Sequence, residues 1–525
     1  MKYTTPFFII LLNLLFFLNI QSILSADPYG LDDEWSEYNE QGNFNNLNGF
    51  VITRATSTIN DTIATITDNP LKIQDLLHDS IYHKTHPPMR RPLLDLPVFQ
   101  YFSDYYNQDN FYIQPFYNHT YKEYFSGQRS TLDYFVDMEQ NVLVQKLVEN
   151  NITVNVPEVL GLFKNLKTQE RRMGLMFQRI HKTDTWTWSF RIPLYWTLHN
   201  LFLTPEEQDR IEKYPLFVSD LKVDFMPFAK AHLIADRLGL GDLRINAEYT
   251  LKDTLKYHFA VGIKATIPTG CPVIKGIYGS EFDSRKPSAK INIKTDLTDL
   301  IEDSNFTLAQ TKSIDFLLAA LDRLSTILIQ QKTGNNYHVG IGGFTHTTYY
   351  FNDMYSFNSL ISFELFMPAV EQRFFKINNQ AAFDQFNWAN TSSRDTEKLT
   401  FLNKQLMRKF FPSGYDATVL PGITLQSTTS FIRKGPRFTA SIGSDLWFNS
   451  KEHILSVKAD LDELLLIDIP NASRGYALQS SVWLGIENTL QEERIWQYGL
   501  KIGLGLTSQS IGQDYTVMMH IRKNF

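Results

Sequence analysis

The chain has 525 residues, a formal net charge of -6 and one cysteine, Cys271. A single cysteine excludes an intrachain disulfide and a zinc cluster of several cysteines, and the near-neutral charge gives no basis for nucleic-acid binding. Aromatic residues make up 14% of the chain, and the mean hydropathy is -0.24. A helical membrane protein would be more apolar, so these values fit a large soluble fold or a barrel of amphipathic strands.

The first stretch, residues 1–26, has the pattern of a secretory signal peptide. Lys2 supplies the positive end, residues 7–18 form an apolar run with one interruption, and Ser25 and Ala26 are small residues that suit cleavage. The run is short for a transmembrane anchor, which needs about 20 apolar residues. We therefore expect an exported protein, and no later run is long and apolar enough to span a bilayer as a helix.

An N-terminal segment, residues 27–170, shows no sustained strand pattern. It begins acidic and rich in asparagine, and it contains a Pro/Arg stretch at residues 87–92. We predict a periplasmic extension, a plug or partly disordered sequence. Within it, residues 111–116 are a candidate first strand, and residues 131–150 have the apolar stripe of one helix.

Strands with strict alternation follow one another over residues 171–525. In the clearest of them, every even-numbered residue from Trp186 to Leu198 is apolar, which puts these side chains on one face. We predict about 12 to 14 strands of about ten residues or more, the length that a tilted strand needs to cross a bilayer. Aromatic residues near strand ends, including Trp447 and Trp496, match an interfacial belt.

Two insertions interrupt the strands, at residues 269–335 and 379–415. The first contains a predicted amphipathic helix over residues 311–331, and the second a weaker one over residues 396–410. Either insertion could enter the lumen or cap its mouth. The side on which each lies depends on whether residues 452–460 count as a barrel strand, which the sequence leaves open.

The last strand, residues 515–525, ends on an aromatic residue. The positions that share its apolar face are Tyr515, Val517, Met519, Ile521 and Phe525. With the signal peptide and the repeated strands, it resembles the C-terminal assembly signal of Gram-negative outer-membrane β-barrel proteins, although Lys523 departs from the apolar residue that this family favours there. The resemblance implies an all-β fold, a transmembrane antiparallel β-barrel in the outer membrane that contacts outer-membrane lipid and the barrel-assembly machinery.

The layout is similar to that of porins and fatty-acid transporters, in which an N-terminal segment is available as a hatch. The similarity implies passive uptake of small solutes through the barrel. No local motif ties the chain to one of these families, so the solute, the oligomeric state and the openness of the lumen stay undetermined at this point.

Charged residues on the polar faces of the strands are the candidate functional set. A charge that faces lipid at mid-depth costs about 2 to 4 kcal/mol, so we expect these side chains to line the lumen. The predicted lumen-lining residues are Arg191, Lys222, Arg244, Glu248, Lys256, His258, Lys264, Arg437, Asp445, Glu487 and Lys501. Both signs are nearly balanced, which predicts either a pore with little ion selectivity or a ladder of ion pairs that braces the wall.

Common enzyme motifs are missing from the sequence: there is no Gly-x-Ser-x-Gly elbow, no His-Glu-x-x-His and no Gly-Lys-Ser/Thr phosphate loop. We expect no catalytic activity, no cofactor and no metal site, and we interpret the strand histidines as hydrogen-bonding residues of the lumen. Three alternatives stay open, namely a structural or adhesive barrel with a filled lumen, a barrel hydrolase, and a soluble secreted β-rich protein.

Overall fold

The computed structural model describes residues 90–100, 109–122, 167–202, 209, 213, 234–275, 334–335, 337–376, 413–465, 467–488 and 496–524. The strands in chain order are β1 Asn110–Lys122, β2 Lys167–Lys182, β3 Trp186–Phe202, β4 Ile234–Leu240, β5 Leu243–Asp253, β6 Tyr257–Ile267, β7 Cys271–Lys275, β8 Gly340–Tyr350, β9 Tyr355–Phe366, β10 Ala369–Phe375, β11 Ser413–Leu420, β12 Thr424–Lys434, β13 Phe438–Asn449, β14 His453–Val457, β15 Ala477–Asn488, β16 Trp496–Gln509 and β17 Gln513–Asn524. A short helix, α1, spans Leu461–Leu464.

Twelve of the described strands close into an antiparallel barrel, in the order β1-β2-β3-β5-β6-β8-β9-β12-β13-β15-β16-β17. The ring closes at β1, which pairs with β17 on one side and with β2 on the other, so that Asn110 lies opposite both Asn524 and Ile180. The prediction of an antiparallel β-barrel is confirmed. Among the described residues, no helix is long and apolar enough to cross a membrane.

The barrel includes β1, which precedes the predicted barrel boundary at residue 171. That boundary was wrong because the alternation in β1 is weak: its inward positions include the buried apolar residues Tyr112 and Phe116. The signal peptide, the predicted helix near residues 131–150 and the helices predicted in the two insertions lie outside the described residues.

The two ends of the barrel differ in the lengths of their connections. At the short-turn end, β2–β3, β5–β6, β8–β9 and β12–β13 are joined by tight turns, whereas the connections after β1, β6 and β9 at the long-loop end are long. In the β5–β6 turn, the Thr254 hydroxyl accepts a hydrogen bond from the Tyr257 N–H at 3.0 Å. Because they follow β6 and β9, both insertions leave the barrel at the long-loop end.

A second sheet of three strands, β10-β11-β14, continues β9, β12 and β13 beyond the long-loop end. Its interior contains Phe375, Val419 and Ile467, and the buried Arg373 pairs with Glu452 at 3.0 Å. The strand predicted at residues 452–460 is therefore β14, which belongs to this extension and not to the twelve-stranded ring.

The barrel is apolar outside and polar inside. Ile263, Ile361 and Leu484 are 66%, 57% and 58% exposed on the outer face, whereas Lys264, the next residue after Ile263, is 6% exposed. On β17 the residues Tyr515, Val517, Met519 and Ile521 face outward and their neighbours are buried, while Phe525 lies outside the described residues. This is the reverse of a soluble β-fold, and it is the distribution that a bilayer requires of a closed barrel.

Exposed aromatic side chains gather at the short-turn end. Trp186, Tyr349 and Trp496 are each more than 40% exposed, and the Trp186 ring lies 5.0 Å from the Tyr249 ring. They form an aromatic girdle of the kind that lies at a membrane interface. Trp447, predicted for such a belt, is instead 1% exposed and lies inside the barrel.

Candidate functional site

Residues 90–100, which we name the lumen segment, lie inside the barrel. They form two consecutive 3-10 turns, Leu93–Asp95 and Pro97–Phe99. Pro92 and Pro97 begin these turns because the ring of proline presets a helical φ where no N–H is needed. Four backbone N–H groups, from Asp95 to Gln100, bond to carbonyls within the segment. The groups that need hydrogen-bond partners from the wall are therefore mainly carbonyls and charged side chains.

Apolar side chains hold the lumen segment against the wall. Val98 and Phe99 are fully buried, and the Phe99 ring packs edge-on against Phe116 of β1 at 5.3 Å. Gly503 of β16 makes room, since a Cβ there would lie 2.9 Å from Cγ1 of Val98. The buried cluster comprises Leu93, Leu94, Leu96, Val98, Phe99, Phe116, Met176, Tyr195, Trp483 and Met518.

Two buried ion pairs tie the lumen segment to the barrel wall. Nη2 of Arg91 lies 2.6 Å from the Asp445 carboxylate, and both side chains are 2% exposed or less. Asp95 lies 2.5 Å from Nη1 of Arg244 and accepts a hydrogen bond from the Trp447 indole at 3.3 Å. Each charge of the segment therefore meets its opposite inside the lumen, which offsets the cost of removing it from water.

Side chains of the wall also satisfy the backbone carbonyls of the segment. The Gln426 amide donates to the Asp95 carbonyl at 2.8 Å, and Arg191 donates to the Phe99 carbonyl at 2.9 Å. Lys501 donates to the last carbonyl of the segment at 3.3 Å. Because buried carbonyls need partners, these contacts make the wall complementary to the segment along its length.

Glu364 on β9 lies close to two cationic side chains that come from strands on the other side of β8. It lies 3.0 Å from Arg244 and 3.2 Å from Lys264, and it is fully buried. On the intervening strand β8, a Cβ at Gly340 would come within 2.3 Å of the Glu364 carboxylate. The glycine thus leaves the space through which β5, β6 and β9 share one charge network.

Cavities flank the lumen segment, and two of them lie on opposite sides of it. The larger, about 160 Å³, is lined by residues 90–94 and by Glu170, Arg172 and Asp242 towards the long-loop end. The smaller, about 70 Å³, is lined by Gln100 and by residues nearer the short-turn end. The middle of the segment therefore separates the two spaces within the described part of the lumen.

Most predicted lumen-lining residues that the structure describes lie inside the barrel. Those exposed by 6% or less are Arg191, Arg244, His258, Lys264 and Asp445. Glu248, Glu487 and Lys501 are only partly exposed, and Glu487 lies 3.1 Å from the inward-facing His520.

Two predicted lining residues lie elsewhere. Lys256 and Arg437 are exposed in the β5–β6 and β12–β13 turns, because alternation gives the face of a residue but not the point at which a strand ends. Lys222 lies outside the described residues. Sequence reasoning missed Arg91 and Asp95; their only signal was the Pro/Arg stretch at residues 87–92 followed by an apolar run without strand periodicity.

Asp242, between β4 and β5, lines the larger cavity at the long-loop end. It is 7% exposed, and this burial raises its pKa to about 6, against the lowering effect of backbone N–H groups such as that of Gly270, which donates at 3.2 Å. The carboxyl group therefore changes its charge at a pH well above that of an ordinary aspartate.

One group of described residues could hold a metal ion. Glu248, His258 and His346 place one ligand atom each within 4.8 Å of the other two. Two imidazoles and one carboxylate are ligands that zinc and related divalent ions accept.

No protein-family model and no curated protein sequence matches the chain. One similar solved structure is an outer-membrane channel from Pseudomonas putida F1. It has 9% sequence identity and a TM-score of 0.39, and the alignment covers 80% of this chain and 96% of that one. The Pseudomonas putida toluene transporter TodX has 8% identity and a TM-score of 0.33, covering 86% and 97%. The β domain of the Bordetella autotransporter BrkA has 7% identity and a TM-score of 0.32, covering 80% and 100%.

The closed ring, the apolar exterior and the aromatic girdle define the class: the protein is an outer-membrane-type β-barrel, with a segment of its own chain inside the lumen.

Proposed function

We propose that this protein is a channel for small polar solutes in the outer membrane of a Gram-negative bacterium, and that the lumen segment closes it. An even number of strands, 12, and the division into a short-turn and a long-loop end are typical of bacterial outer-membrane barrels. In such barrels the short turns face the periplasm. On this proposal the long-loop ends of β6 and β9, from which the two insertions leave, face the external side.

The polar inner wall is the observation that carries the proposal. Where the lumen segment leaves space, cavities remain, and charged groups such as Glu170, Arg172 and Arg191 line them. A polar, hydrated interior suits the passage of small polar solutes, and it contrasts with the apolar surfaces that bind hydrocarbons.

Ion selectivity should be weak, because charges of both signs are paired along the wall. Arg244 and Lys264 of the wall both lie within 3.2 Å of the Glu364 carboxylate, which also belongs to the wall. Paired charges largely cancel at the distance of a passing ion. We therefore expect neither strong cation preference nor strong anion preference when the lumen is open.

A structural barrel with a permanently filled lumen is the second candidate. The observation that favours it is the apolar cluster around Val98 and Phe99, both fully buried. Such packing resembles a protein core, which opens only at considerable cost in free energy. A structural barrel would conduct no ions in any state in which it stays folded.

Planar-bilayer recordings separate these candidates. The test compares the wild-type protein with a variant in which residues 93–99 are replaced by a Gly/Ser linker of equal length. We expect the wild type to open briefly, at low overall conductance, and the variant to show large, weakly selective conductance. A folded wild type that never opens would support the structural candidate. A variant that shows the boiled-versus-unboiled gel shift of a folded barrel, yet does not conduct, would refute the channel and support the structural candidate.

A further inference from the structure

Side chains from three adjacent strands converge inside the barrel: Glu248 of β5, His258 of β6 and His346 of β8. Nε2 of His258 lies 3.8 Å from Oε1 of Glu248, and Nδ1 of His346 lies 3.7 Å from the same oxygen. The two imidazole rings are 5.5 Å apart. Both histidines are 5% exposed or less, so the group is removed from bulk water.

Small residues on the middle strand make this convergence geometrically feasible. On β6 the inward positions between the two neighbours are Ala260, opposite His346, and Gly262, opposite Glu248. Because neither carries a long side chain, residues of β5 and β8 can meet across β6. The cluster therefore follows from the register of three strands.

The shared oxygen of the cluster lacks a hydrogen bond. Oε1 of Glu248 is buried and accepts none from the described residues, although two imidazole nitrogens lie less than 4 Å away. A buried carboxylate oxygen without a partner is costly in free energy. A bound cation would supply a partner to this oxygen and would be within reach of both imidazole nitrogens.

The far nitrogen of each histidine faces a second polar group. Nδ1 of His258 lies 3.5 Å from the Asp253 carboxylate, and Nε2 of His346 lies 3.3 Å from the Thr348 hydroxyl. Such outer partners orient metal-bound histidines and select the tautomer that leaves the inner nitrogen free to bind. In this cluster they leave Nε2 of His258 and Nδ1 of His346 pointing at Glu248.

We propose that Glu248, His258 and His346 form a binding site for one divalent transition-metal ion such as Zn²⁺. Zinc binds these ligands at about 2.0 to 2.2 Å, so two ligand atoms of one tetrahedral ion lie about 3.3 to 3.5 Å apart. The observed 3.7 and 3.8 Å lie near this range, and all three ligand atoms lie within 4.8 Å of one another, so side-chain shifts of about 1 Å bring them round one ion.

Three protein ligands leave a position for water or a solute, as in open zinc sites. Glu248 also lines the 70 Å³ cavity on the short-turn side of the lumen segment, which offers space for that fourth ligand. The site does not depend on the channel proposal, because a barrel with a filled lumen would hold the same three strands in the same register.

Direct metal titration tests the site. Protein without a polyhistidine tag is stripped with a chelator, refolded in detergent and titrated with Zn²⁺ by calorimetry and with Co²⁺ by visible absorption. We expect one ion per chain and an intense Co²⁺ spectrum of low coordination number. Glu248→Gln and His346→Gln should each weaken binding about 100-fold or more, and Asp253→Asn about 10-fold, the range for second partners of metal ligands.

The matched control is His338→Gln. His338 is also buried and pairs with a glutamate, Glu371, at 2.7 Å, but it lies outside the cluster, and we expect its substitution to leave the affinity unchanged. Each variant is first checked for the gel shift of a folded barrel. No stoichiometric binding by the wild type, a Co²⁺ spectrum like that of the aqueous ion, or equal affinity in folded Glu248 and His346 variants would each overturn the site in favour of a metal-free ion-pair cluster.

Discussion

Asp95 of the lumen segment and Arg244 of β5 form an ion pair of 2.5 Å in which neither side chain is more than 3% exposed. Arg244 also holds Glu364 at 3.0 Å. The pair thus joins the segment to a charge network that belongs to the wall. A substitution that breaks this ion pair leaves a buried charge without its full set of partners. Single substitutions can therefore test whether the pair keeps the lumen closed.

Asp95→Asn should loosen the lumen segment without destroying the barrel. The variant keeps the shape of the side chain but removes the negative charge, and breaking a buried pair costs about 3 to 5 kcal/mol. We expect more frequent or larger openings in planar-bilayer recordings. Asp353→Asn, in the exposed β8–β9 turn, is the control and should behave like the wild type. Identical conductance of folded Asp95→Asn and wild type would argue against an electrostatic anchor.

Gly503→Val tests the packing of the lumen segment independently of charge. A Cβ at this position would lie 2.9 Å from Cγ1 of Val98, and overpacking typically costs about 1 to 3 kcal/mol. The segment should shift away from β16, and conductance should rise while the gel shift of the folded barrel is retained.

Gly475→Val is the matched control for that substitution. A Cβ at Gly475 would meet no atom within 4 Å, so we expect wild-type conductance. If both glycine variants conduct alike, contact with Val98 is not what keeps the segment in place.

Alternation predicted the barrel strands well because the two environments of the wall differ sharply. Ile263 and Lys264 are neighbours in sequence, yet one is 66% and the other 6% exposed. Arg191 and Arg244, on the polar faces of β3 and β5, are buried in the same way. A charged residue within such a strand is stable only on the face that points into the lumen, so the sequence alone predicts its direction.

The contents of the lumen could not be predicted in the same way. Where the wall meets the lumen segment, inward residues such as Phe116 and Trp447 are apolar, and this removes the contrast on which alternation depends. The pairing of Arg91 with Asp445 joins residues 354 positions apart. No local pattern contains that information, because it depends on the closure of the ring and the path of the segment through it.

Asp242 should give the barrel a distinctive pH dependence. Its pKa is raised from 3.8 to about 6 in the folded protein, so the folded state binds this proton more tightly than the unfolded chain. The resulting stabilisation is complete below about 3.8 and is lost as the pH rises through about 6. Asp242→Asn should remove this component, so the variant gains stability relative to the wild type as the pH increases.

The measurement for Asp242 is the temperature at which the unboiled gel band converts to the unfolded band, recorded across this pH window. The control Asp353→Asn removes an exposed carboxyl group and should keep the wild-type pH dependence. Parallel curves for the wild type and Asp242→Asn would show that Asp242 does not titrate in this window.

Glu364 and Lys264 should be energetically coupled, so that substituting both costs less stability than the sum of the two single substitutions. Glu364→Gln leaves Lys264, 6% exposed, without the carboxylate that lies 3.2 Å from it, and we expect a loss of about 3 kcal/mol or more. Lys264→Met in the same chain removes the uncompensated cation, so the double variant should be more stable than Glu364→Gln alone. Urea titrations of the folded barrel in detergent give the free energies of unfolding of the wild type, the two single variants and the double variant. The control combines Glu364→Gln with Lys256→Met, which lies at an exposed turn and should restore no stability. Strictly additive losses would mean that Lys264 and Glu364 contribute to the wall separately, and not as one charge network.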